Sequence, residues 1–225
     1  MQNKRKELIK AVFVADALSF GAHWVYSTDK LKEEYSGIIE EYRTPMAKFH
    51  EGKKAGDLSH YGEQAFALLQ SISNNQSFDL KQFRDDWIEY LENNEMYMDH
   101  AMKDSLEKLK NSDTFTGADN HELGGIARSL PLFLEEDIIQ KDFLDLVHLT
   151  HNSQVVDQTA KFVFAVIRDV LAGKDYKKAI KANKDLNKFT AESFEKIGSK
   201  DKIVANADDR GQGCSTEQGF PIVLD

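Results

Sequence analysis

Residues 56–64, "GDLSHYGEQ", bring a cap-forming acid, a hydroxyl, an imidazole, a phenol and a second acid to the start of an apolar helical run, "AFALLQSI". With a helix beginning near Asp57, Ser59 and Glu63 lie one turn apart on one face, and His60 falls beside Glu63 or Gln64. An imidazole next to a carboxylate is a proton-transfer pair that works near neutral pH. Asp57 and Ser59 are equally ordinary helix caps, and capping alone would account for them. As a metal centre the stretch is poor. It offers too few oxygens for a hard divalent cation, and zinc would need nitrogen or sulfur ligands from elsewhere.

Other residues invite the same question. Asp16 is the only formal charge between Ala11 and Trp24. An isolated buried carboxylate is costly, so Asp16 needs a partner or a polar cavity. It either floors a pocket between helices or fixes their packing. In "GADNHELGGIARSLPL" the second histidine of a metalloprotease motif is missing. Gly124 and Gly125 there permit close backbone approach, and Arg128 either grips an anion such as a phosphate or makes an ordinary ion pair. Thr150–His151 in "LTHNSQ" stands just before a strong helix, where exposed amides attract anions. Cys214 has no specific His–Asn arrangement to make it a nucleophile. No Walker loop, nucleophile elbow or dinucleotide fingerprint is present.

The elements that must position these groups are helical. Residues 5–20 form the first helix, and its "AVFVADALSF" is apolar nearly all round, which predicts a buried helix. Residues 59–73 form a second long helix, and Phe83, Trp87, Tyr90 and Leu91 make a stripe in a third. Ala101, Leu106 and Leu109 suggest another, with shorter helices at 124–133 and 138–149. Val156, Ala160, Val163, Ile167 and Val170 fall on one face of a helix capped by Asn152 or Ser153 and ended by Gly173. Two more fill 176–197, and "GFPIVLD" reads as the beginning of another. With no repeat and no long linker, residues 1–225 form one all-α domain.

The net charge of −9 argues against a nucleic-acid binder, because the basic runs "NKRKELIK" and "KDYKKAIKANK" read as solvated helix faces. A lone cysteine excludes a disulfide framework and suits a reducing compartment. No stretch has the length of a membrane span and no secretory leader is evident, so the expectation is a cytoplasmic protein without membrane partners.

Taken in order, these segments resemble the ADP-ribosylglycohydrolase superfamily, and within it a crystallin-like branch that includes a lens crystallin. The resemblance runs from about Lys6 to the last residue. "ADALS" at 15–19 is similar to an early Gly-Asp-Ala-Leu-Gly pattern, and "YMDHAMKDSLEKL" and "GGIARSLPLF" are similar to middle blocks. "LTHNSQVVDQTAKFVFAV" is similar to the Thr-His block and the helix after it. The resemblance implies an all-helical bundle around a cleft and hydrolysis of a glycosidic bond to ADP-ribose. It also implies two magnesium ions, held by a Thr-Asp-Asp motif at a helix start and a late Asp-x-Asp-Thr segment.

This chain departs from that pattern. Ser59, His60 and Tyr61 stand where Thr-Asp-Asp would be, so a hydroxyl survives and both carboxylates are gone. An acid that follows the early block in several classical hydrolases falls near His23. The late segment would lie beyond Asp225, leaving a family fold without its C-terminal part. The sequence therefore points to a hydrolase of an ADP-ribosyl or related N-glycosidic substrate, with altered or lost metal dependence. Asp16, His60, Glu63 and His151 are the candidate catalytic groups, and Ser59, Tyr61, Gly124 and Arg128 the candidate ligand contacts. No residue is assigned to a metal, and magnesium enters only as the family's cofactor. A non-catalytic, ligand-binding or structural member of the superfamily is the alternative.

Overall fold

In a computed structural model, residues 2–35, 38–196 and 213–224 are described. They form helices α1 (Gln2–Phe20), α2 (Thr28–Glu34), α3 (His60–Asn75), α4 (Leu80–Asn93) and α5 (His100–Asn111). These are followed by α6 (Gly124–Ser129), α7 (Gln140–His148), α8 (Gln154–Leu171), α9 (Tyr176–Asn183), α10 (Lys188–Glu195) and α11 (Thr216–Leu224). Short 3-10 turns lie at Lys48–His50 and Leu130–Leu134. The expected all-α architecture is what forms, and among the described residues the β content is one isolated bridge, Glu122 to Ser215. No described helix is long and apolar enough to cross a membrane.

Helix α3 is central, packing on α1, α4, α6 and the Leu130–Leu134 turn. The anticipated stripe of α4 is buried through Phe83, Trp87 and Leu91, and Trp87 Nε1 donates to Gln64 Oε1 of α3 at 3.0 Å. Phe133, Phe143 and Phe164 join the 3-10 turn, α7 and α8 in one aromatic cluster. Helix α8 is capped by Ser153, whose Oγ accepts from Val156 N, and the chain leaves it through Gly173 at φ +100°. That conformation is one glycine adopts without a Cβ clash.

Two helices differ from their sequence patterns. Helix α8 is covered on two sides: Ala160 and Phe164 face the main core, while Phe162 packs on Phe194 of α10 and Phe220 of α11. Phe220 is what holds the short α11 in place, since so brief a helix needs tertiary packing. Helix α1 is not buried all round. It seats Ile9, Ala17 and Phe20, but Ala11, Val14 and Ala15 are exposed. Its open apolar side joins Tyr61, Ala65, Ala127 and Leu130 around a groove of about 510 Å3. The end of the helical region expected at 176–197 lies partly outside the described residues.

Candidate functional site

Helix α3 begins at His60, with Ser59 as its cap rather than Asp57. Ser59 Oγ accepts the amides of Tyr61 and Gly62. It also donates to Asp16 Oδ1 at 2.5 Å, while the Ser59 amide donates to Asp16 Oδ2 at 2.8 Å. Asp16 therefore has its partner: it clamps α1 to the first turn of α3. Burial raises its carboxyl above the usual range, opposed by these hydrogen bonds. Gly62 makes the approach possible, because a Cβ there would run into the Asp16 carboxylate.

His60 is buried, and its pairing differs from the sequence expectation. The partner is Asp99, whose Oδ2 lies 3.1 Å from His60 Nε2; Glu63 instead pairs with Lys53. Asp99 caps α5, its Oδ1 accepting from Met102 N at 2.7 Å, so the first turns of α3 and α5 meet through this pair. Burial alone would raise the Asp99 carboxyl, but hydrogen bonds from His60 and the Met102 amide hold it below the ordinary value. With Nε2 bound to Asp99, His60 Nδ1 has no protein partner. An imidazole held by a carboxylate at one nitrogen and free at the other is the arrangement of a general base.

Tyr61 lies against His60, ring centroids 3.8 Å apart, and its other side rests on Gly124, where a Cβ would enter the ring. Gly125 is likewise filled by His151. Burial, then the charges of Asp99 and Glu122, push the Tyr61 phenol far up, so it stays neutral. Glu122, just before α6, is half-buried and its carboxyl is raised by burial and by Asp99. The carboxyls of Asp99 and Glu122 are thus shifted in opposite directions. Cys214 sits 3.7 Å from the Tyr26 hydroxyl, in the segment that the Glu122–Ser215 bridge ties to this edge.

On the other side of His60 stands a stack of rings. His23, Trp24 and His50 pack on one another, with centroids 4.4 Å apart for His23–Trp24, 4.8 Å for Trp24–His50 and 5.1 Å for His23–His50, and His23 lies 5.8 Å from His60. Trp24 adopts φ +60°, a conformation a bulky residue takes only when its surroundings impose it. Burial pushes the His23 imidazole down to about 3 and that of His50 to about 4, so both are neutral.

Arg128 and His151 do not join the cleft edge. Arg128 is fully buried and donates to the carbonyls of Leu146, at 2.6 Å, and Val147 at the end of α7. It braces a helix terminus, where the sequence allowed an anion contact. His151 is buried beside Thr150, its Nδ1 2.8 Å from Thr150 Oγ1, and burial lowers it to about 3.

Sequence reasoning missed Asp99, Glu122, His23, Trp24 and His50. Asp99 stands where a cap should, directly before the amphipathic run of α5, and that signal was available. Glu122 lay in a stretch read for the metal motif it lacks, for its two glycines and for Arg128. The ring stack has no sequence signature, since Trp24 and His50 are brought together from separate loops.

Two helix starts thus converge on the buried His60–Asp99 contact of an all-helical protein, with a neutral phenol against the imidazole and a raised carboxyl at Glu122. The profile of the ADP-ribosylglycohydrolase family matches residues 2–219, and the chain belongs to that family. It is 24% identical to crystallin J1A of Tripedalia cystophora across 99% of its own length and 76% of that protein. To crystallin J1B of the same organism it is 24% identical, covering 78% of this chain and 61% of the relative. Its fold matches a solved chain of an ADP-ribosylglycohydrolase-related protein complex with a TM-score of 0.68 at 17% identity, covering 99% of this chain and 80% of the other.

Proposed function

We propose that this protein hydrolyses a glycosidic bond in an ADP-ribosyl or related N-glycosidic substrate, using the His60–Asp99 pair where the family pattern has magnesium. The observation that carries the reading is the 3.1 Å contact between His60 Nε2 and Asp99 Oδ2, with Nδ1 left unpartnered. Asp99 holds the ring and stabilises the imidazolium, while Nδ1 accepts a proton from the attacking water. Glu122, whose carboxyl is raised by burial and by the charge of Asp99, is the group assigned to supply a proton to a leaving group. Asp16 and Ser59 fix the first turn of α3 that carries His60.

The donors at 59–61 do not fit magnesium. Ser59 Oγ already serves Asp16 and two amides, His60 is bound to Asp99, and Tyr61 remains a phenol. Among the described residues, no three His, Cys, Asp or Glu side chains converge as ligands. Magnesium needs several oxygens in near-octahedral array.

The test is release of free ADP-ribose from an ADP-ribosylated protein, and of ribosyl products from small N-ribosides, with excess chelator present. Turnover should survive chelation and fall about 100-fold or more in His60→Gln and Asp99→Asn. Activity abolished by chelator and restored by magnesium would overturn the reading. The crystallin names of two relatives favour a second, non-catalytic reading, which stands if no riboside is cleaved.

A further inference from the structure

Beside His60 lies a cavity of about 310 Å3, the rest of whose lining the proton-transfer scheme does not use. Phe20, Phe49 and Tyr97 line it, together with His50, Met96 and His60. Glu51, Glu63 and Glu95 also line it, against a single cation, Lys53. With His50 neutral, carboxylates are in excess in the lining. Two of its side chains are more than nine-tenths buried yet unsatisfied: His50 Nε2 and His60 Nδ1 have no protein partner. Glu63 has one oxygen on Lys53 Nζ and the other, Oε2, on nothing. The strained Trp24 stacks behind His50 and so fixes that wall.

Flat aromatic walls, an excess of carboxylate and the unpaired, buried Glu63 Oε2 acceptor together select a flat, cationic ring that bears an N–H donor. Ring faces attract cations through their quadrupole, and a buried acceptor without a donor favours whatever supplies one. We infer that this cavity is the leaving-group subsite and that the group it takes is an N-ribosylated pyridinium carrying a carboxamide. The inference rests on the hydrolase reading for its role, though not for its binding. The chemistry is consistent with a base-only side of the site. His60 Nδ1 takes a proton from water as the water oxygen bonds to the anomeric carbon. The carbon–nitrogen electron pair returns to the ring nitrogen, the cationic ring leaves neutral, and the imidazolium passes its proton to solvent. Such a leaving group needs no proton of its own, so the subsite can stand away from Glu122.

The test measures binding without chemistry, by calorimetric titration of 1-methylnicotinamide, a pyridinium that cannot be hydrolysed. Saturable binding is expected, weakened at least tenfold by Glu63→Gln and severalfold by Phe49→Leu. Lys53→Gln should tighten it, because it frees the second oxygen of Glu63; a general loss of folding cannot produce opposite signs at the two partners of one ion pair. The neutral ring nicotinamide should bind more weakly than its methylated cation. Absence of saturable binding, equal binding by Glu63→Gln, or preference for methylguanidinium over the ring overturns the inference. Binding with the expected pattern but no cleavage of any riboside would support the subsite and remove the hydrolase. Cleavage of an ADP-ribosylated protein without pyridinium binding would do the reverse.

Discussion

His60 and Asp99, 39 positions apart in sequence, meet at 3.1 Å because each stands at the first turn of its own helix. Neither position has meaning alone. Asp99→Asn should leave α5 capped, since asparagine is as good a cap, while the altered partner leaves the His60 ring poorly held. The expected result is a melting temperature within a few degrees of wild type together with a large fall in kcat for riboside cleavage. Loss of both in proportion would mark the pair as structural.

Asp16 is tied to Ser59 by two hydrogen bonds, one from the backbone amide and one from the hydroxyl. Asp16→Asn must turn an NH2 toward one of these donors and should lower stability by about 1–3 kcal/mol, read by urea unfolding. An unchanged midpoint would mean the clamp does not hold α1 to α3.

Gly124 touches the Tyr61 ring where a Cβ would have to sit. Gly124→Ala should cost about 1–3 kcal/mol and displace Tyr61, visible as a change in near-ultraviolet circular dichroism. Tyr61→Ala in the same background should recover part of the loss by making room. Additive losses would show that the two residues are not in contact.

His23, His50 and His151 are buried and neutral, with their imidazoles lowered to about 3, 4 and 3. The unfolded chain takes up protons on histidine near its ordinary value, well before the folded protein does. Stability is therefore full above that value and lost as the pH falls toward the folded values. Between pH 7 and 5 each histidine should cost about 2 kcal/mol, so the melting temperature should drop steeply over that interval. His151→Gln should flatten the slope, and a flat profile from pH 7 to 5 would show the imidazoles to be solvated.

Millimolar magnesium should leave the melting temperature unchanged, because the donors at 59–61 are engaged with protein partners. A ligand that binds only the folded state raises stability in proportion to its excess over Kd. A rise of several degrees would show that an oxygen-rich site forms here after all.

Much of the helical order was legible. The α4 stripe at Phe83, Trp87 and Leu91 and the Ser153 and Gly173 boundaries of α8 follow from spacing and capping chemistry, which are local. The exposure of Val14 was not legible. An apolar residue can face a groove as well as a core, and only the packing of neighbours decides which. The pairing of His60 failed for the same reason: Glu63 was near in sequence, but its carboxylate went to Lys53.

The sequence by itself determined an acidic, all-helical chain, the glycines that let Tyr61 and Asp16 close on their neighbours, and a helix start that carries an imidazole and a phenol directly after a serine. Those are properties of residue type and short-range spacing. Which acid holds His60, that Arg128 braces α7 from the interior, and that His23, Trp24 and His50 stack into one wall were decided only by tertiary structure. Each joins segments distant along the chain, and such contacts are set by how helices pack together, which no local pattern encodes.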